Sequence, residues 1–113
     1  MLYSEDLCRV FLTILGRLAS GKHQGLLGNA FNLGTGECVT MEAVVCTIAS
    51  ILSSPLPPER RLSPVKNEIP VQCMDYSKAA QRLGFRPSFS LEQGLAQTVR
   101  WWQQYLSHQE ASL

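Results

Sequence analysis

The run Gly16-Arg17-Leu18-Ala19-Ser20-Gly21-Lys22 has the Gly-x-x-x-x-Gly-Lys spacing of a phosphate-cradling loop. The chemistry stops one residue later. His23 stands where a serine or threonine would ligate magnesium, and the run follows a helical pattern, whereas a phosphate loop must follow a strand and open a helix. Gly25-Leu26-Leu27-Gly28 lacks the third glycine and the helix behind it that a dinucleotide fingerprint requires. His23 and His108 are isolated, with no evident partner for acid-base work. Cys8, Cys38, Cys46 and Cys73 fall singly in apolar surroundings, with no Cys-x-x-Cys pair and no histidine at ligand spacing. They read as buried free thiols and not as a metal site or a disulfide framework. Trp101, Trp102 and Tyr105 offer stacking surfaces for bases, but Trp102 is in helical line with Val99 and Leu106, which points to core packing or an interface. Glu59, Arg60, Arg61 and Lys66 lie in a proline-bounded connector, where they either form solvated surface or reach a ligand.

The elements that must position these residues follow from periodicity and capping signals. Ser4 is an N-cap candidate, with Glu5 and Asp6 where acids complement a helix dipole. Leu7, Val10, Phe11, Ile14 and Leu18 then predict a helix over about 5–19. A loop over 20–28 leads to a short strand at 30–33, closed by Gly34-Thr35-Gly36. Thr40 caps a second helix over 40–53, on the spacing of Met41, Val44, Val45, Ile48 and Leu52, and the prolines from Pro55 stop it. Residues 71–74 predict a second short strand. Asp75 then caps a helix over 76–83 that Gly84 terminates. Ser90-Leu91-Glu92-Gln93 has the form of a capping box and opens a last helix over 91–107. Four helices and two short strands cannot make a self-sufficient sheet, so the strands are expected to join a sheet supplied by other sequence.

Composition excludes several classes of function. Hydrophobic residues make up 45% of the 113-residue chain and charged residues 17%, enough apolar material for one core and no case for wholesale disorder. A formal charge of +1 without a basic run argues against nucleic acid and membrane surfaces as partners. The apolar stretches fall short of the ~20 residues a membrane span needs. Acids near Met1 stand where a secretory leader would be basic, so a cytoplasmic setting is expected.

Four blocks in order resemble the C-terminal part of the extended short-chain dehydrogenase/reductases, the NAD-dependent sugar-nucleotide epimerases and dehydratases. These are Leu2-Tyr3-Ser4-Glu5-Asp6-Leu7; Phe31-Asn32-Leu33-Gly34-Thr35-Gly36; Asp75-Tyr76-Ser77-Lys78-Ala79 with Leu83-Gly84-Phe85-Arg86-Pro87; and Ser90-Leu91-Glu92-Gln93-Gly94-Leu95 with Trp101. The resemblance spans nearly all of residues 1–113. It implies an α/β protein whose mainly helical substrate-binding subdomain is this chain, without the Rossmann half. The stretch Glu68 to Asp75 further looks like the branch containing 4,6-dehydratases.

In that family NAD(P) sits on the Rossmann domain, and a catalytic Tyr-x-x-x-Lys oxidises a nucleoside-diphosphate sugar. Here Tyr3, Tyr76 and Tyr105 are followed four residues on by Leu7, Ala80 and Gln109. The resemblance therefore implies no cofactor bound by this chain alone, no catalytic residue, and inactivity in isolation, as a truncated product or one half of a split enzyme. Asn32 matches the family's strand asparagine near the nucleotide-sugar; its amide either contacts the ligand or satisfies the turn at Gly34. Arg60, Arg61 and Lys66 lie where relatives hold the diphosphate with an arginine. The expected partners are a nucleoside-diphosphate sugar, bound weakly or not at all by the chain alone, and a Rossmann half or a second copy. The competing expectation is a non-enzymatic interaction module or relic that pairs with a paralogue or another protein.

Overall fold

The structure, a computed structural model, describes residues 1–55, 59 and 73–110. Its elements are α1 (Ser4–Ala19), α2 (Met41–Ile51), α3 (Ser77–Leu83) and α4 (Leu91–Glu110). They belong to two compact units. One comprises Met1–Cys38 with Gln72–Phe89, and the other Val39–Val71 with Ser90–Leu113.

In the first unit α1 packs on α3, and Val10, Leu26, Ala79, Leu83 and Phe85 form a buried cluster that Leu2, Ile14, Phe31, Leu33 and Tyr76 flank. Burying each of the larger side chains contributes about 1.5–3 kcal/mol, so the core is small. Polar ties supplement it. Arg17, in the last turn of α1, donates to the carbonyl oxygens of Arg82 and Leu83 at 2.5 and 3.4 Å, which places a guanidinium on the negative end of α3. Gly84 takes the left-handed conformation (φ 71°) that closes α3, and the Phe85 amide returns to the Ala79 carbonyl at 3.3 Å. That turn drives the Phe85 ring into the core, where it meets Tyr76 edge-on at 5.6 Å.

In the second unit α2 packs on α4, with Val44 and Leu95 buried. Thr40 caps α2 by accepting from the Ala43 amide at 3.1 Å. Ser90 and Gln93 form the capping box reciprocally: the Ser90 amide donates to Gln93 Oε1 at 2.9 Å, and the Gln93 amide to Ser90 Oγ at 3.2 Å.

The sequence expectation of an α/β fold is corrected: among the described residues there are four helices and no strand. Residues 30–33 are irregular, as are Cys73 and Met74, while 71 and 72 lie outside the described residues. The reason is physical. A strand exists through ladder hydrogen bonds to a neighbour, and no main-chain hydrogen bond joins 30–38 to 73–76 among the described residues.

The aromatic stripe of α4 also departs from the core-packing alternative. Leu95 is buried, but Trp101, Trp102, Tyr105 and Leu106 are exposed, and the three rings pack on one another, Trp101 stacking on Tyr105 at 5.2 Å. No described helix is long and apolar enough to cross a membrane.

Candidate functional site

The residues around Asn32 are positioned by the contact of 31–38 with 73–78, both in the first unit. Phe31 and Leu33 turn towards the core cluster. Alternation along the segment leaves Asn32 exposed between them. Gly34 is buried against Met74, so close that a Cβ on Gly34 would lie 2.6 Å from the Met74 Cβ. Only glycine permits that approach. Two residues on, Gly36 (φ 75°) lies under the Tyr76 ring. Beyond it Cys38 is disulfide-bonded to Cys73.

The start of α3 completes this surface. Asp75 Oδ1 accepts from the Ser77 hydroxyl and from the Ser77 amide, the latter at 2.9 Å. The Ser77 hydroxyl and then its amide hold the Asp75 carboxyl below its ordinary value. Asp75 thus serves the helix start from one position before the capping residue Tyr76, and not as the N-cap itself. At the second position of α3 the exposed Lys78 ammonium lies 5.2 Å from the centre of the Phe31 ring. The arrangement presents an amide able to donate and accept at Asn32, and a cation against the preceding ring. Phosphate and hydroxyl oxygens are the groups such a pair recognises.

Asp6, one of the two acids expected to complement the dipole of α1, does something different. It is 2% exposed, and its carboxylate accepts from the backbone amides of Ser88, at 3.1 and 3.0 Å, and of Phe89, at 3.3 Å. Arg9, paired with Glu5 at 2.7 Å, bonds the Ser88 hydroxyl and lies over the Phe89 ring. Position three of α1 therefore fastens residues 88–89 and not its own helix start; Tyr3 is the N-cap and makes no side-chain cap. A shallow cleft of about 180 Å³ beside this clasp is lined by Arg9, Thr13 and Arg86 among others. Ligand pockets generally exceed about 300 Å³, so its size argues against a small-molecule site.

Of the four candidate substrate contacts read from the sequence, Asn32 alone is described; Arg60, Arg61 and Lys66 fall outside the described residues. The amide of Asn32 makes no hydrogen bond among the described residues, so it does not satisfy the turn at Gly34. Cys8 and Cys46 are free but exposed, and Cys38 and Cys73 are paired, which corrects the expectation of four buried free thiols. Sequence reasoning passed over Lys78 as a site residue, although it stands in a block quoted for the resemblance. It also passed over the Cys38–Cys73 pair, whose separation of 35 residues carries no local signal. No cluster of three or more metal-ligating side chains occurs among the described residues.

No protein-family profile matches the chain, and no solved structure matches it. Among curated proteins it is similar to the dTDP-glucose 4,6-dehydratase of Xanthomonas campestris pv. campestris, 29% identical over 118 aligned residues that cover 96% of this chain. The chain spans about 30% of the length of that relative.

α1, α2, α3 and α4 open after Tyr3, Thr40, Tyr76 and Ser90, with no glycine turn to bring backbone amides onto a pyrophosphate.

Proposed function

We propose that this chain is the nucleotide-sugar-binding part of a sugar-nucleotide 4,6-dehydratase or epimerase. In this reading Asn32 hydrogen-bonds the ligand, Lys78 lies beside it, and Arg60, Arg61 and Lys66 supply charge to the diphosphate. The observation that carries the reading is the order of the four sequence blocks, together with a match to a dehydratase that runs through nearly the whole chain. Oxidation of the sugar needs a hydride acceptor and an acid-base tyrosine-lysine pair, and no tyrosine here has a lysine four residues on. The chain alone therefore binds but does not turn over, and activity requires a dinucleotide-binding domain supplied outside these 113 residues. Incubation of the purified chain with NAD and dTDP-glucose tests this: no 4-keto sugar should form. Product formed by the chain alone would overturn the reading.

A second reading, an interaction module, is favoured by the exposed apolar residues of α1. Phe11, Leu12 and Leu15 are 58%, 68% and 59% exposed, more apolar surface than a small monomer normally leaves on one helix. Both readings expect the isolated chain to associate with itself or with a complementary domain. Light scattering of the purified chain decides that point; a monodisperse monomer would count against both.

A further inference from the structure

Cys38 and Cys73 have Cα atoms 5.0 Å apart, within the range a disulfide bridges without backbone movement. They stand where the chain leaves the first unit after Cys38 and just beyond its return at Gln72. Both are exposed, so small thiols and disulfides reach their sulfurs. The other ties between these two segments are side-chain packing, of Met74 on Gly34 and Tyr76 on Gly36, with no backbone ladder among the described residues. A segment without ladder hydrogen bonds opens locally at low cost unless something covalent restrains it.

The geometry points to Cys38–Cys73 as a reversible redox clasp that sets how firmly the segment from Asn32 to Gly36 is held against Met74 and Tyr76. In the reduced chain both residues are thiols. Closure takes two exchanges with a small disulfide such as glutathione disulfide. The thiolate of one cysteine attacks the glutathione disulfide, forming a mixed disulfide and expelling one glutathione thiolate. The second cysteine thiolate then attacks the protein sulfur of that mixed disulfide and expels the other. The protein loses two electrons, the oxidant gains them, and the two thiol protons end on two glutathione molecules. An excess of reduced glutathione runs the steps backwards.

Peptide mass spectrometry of the full chain, equilibrated first with glutathione disulfide and then with dithiothreitol, should recover a Cys38–Cys73 cross-link in the first condition only. Backbone order parameters from amide relaxation are then compared in the two states. Those at residues 32–37 should fall from about 0.85 in the oxidised chain to below about 0.6 in the reduced chain, while those in the middle of α4 are unchanged. Cys38→Ser should show the reduced values under both conditions, and Cys8→Ser should behave like the natural chain. Failure to recover the cross-link under oxidising conditions, or equal order parameters at 32–37 in the two redox states of the natural chain, would overturn the clasp. The comparison of redox states needs no variant and so does not hinge on how a substituted chain folds.

Discussion

Asp6 and Ser88, 82 positions apart, are joined by both oxygens of one carboxylate accepting from a single backbone amide, at 3.1 and 3.0 Å. The same carboxylate takes the next amide, that of Phe89. A buried acid satisfied by main-chain donors fixes the chain's path. Asp6→Ala strands these donors and should cost about 2–4 kcal/mol, since hydrogen bonds to a charged group contribute about 1.5–3 kcal/mol and orphaned amides are penalised further. Asp6→Asn, which keeps one acceptor, should cost less. Urea unfolding checks both, as a lowered midpoint at constant slope.

Gly34 has no room for a side chain beside Met74. Gly34→Ala should displace the segment bearing Asn32 and lower stability by about 1–3 kcal/mol, the usual scale of overpacking. Thermal unfolding measures the loss. Amide chemical shifts of residues 31–36 should move with it, and shifts within α4 should not.

Ser53 holds a left-handed conformation (φ 51°) after α2, where the Ser53 and Ser54 amides return to the Ser50 and Ala49 carbonyls at 3.0 and 2.9 Å. This is the position at which helices favour glycine, because a Cβ is strained there. Ser53→Gly should therefore stabilise the chain, by about 0.5–1 kcal/mol. A raised unfolding midpoint would bear this out, and a lowered one would count against it.

Much of this fold is legible in the sequence because its signals are local. The capping box at Ser90 and Gln93, the Thr40 cap and the Gly84 stop each involve residues within six positions of one another, and each forms as read. What is not legible is non-local. Whether 30–33 becomes a strand depends on a hydrogen-bonding neighbour that its own residues cannot specify. Asp6 reads as an acid for its own helix because its true partners stand more than eighty positions away. Cys38 and Cys73 look isolated for the same reason. Asn32 is legible as a candidate only through its motif; its exposure is a property of the alternation between Phe31 and Leu33 once the core has formed.

Asp75 is held below its ordinary value of 3.8 by the Ser77 hydroxyl and then by the Ser77 amide. A carboxylate whose pKa falls on folding contributes stability above its unfolded value, and that contribution disappears as the pH drops through the folded one. Ser77→Ala removes the larger cause, so the Asp75 titration should move upward, and the variant should approach the natural chain in stability only at acid pH. Carbon-detected NMR titration of the Asp75 carboxyl follows the shift directly.

The proposal that this chain binds a nucleotide-sugar through Asn32 is tested most directly by titrating the isotopically labelled chain with dTDP-glucose and recording its amide spectrum. Weak, saturable binding is predicted, with Kd on the order of 1 mM. The Asn32 side-chain amide and the backbone amides of residues 31–36 should shift, and Asn32→Ala should abolish the response without altering the dispersion of the spectrum. No movement of the Asn32 side-chain signals at ligand concentrations well above that Kd, or the same response in Asn32→Ala, would contradict the account.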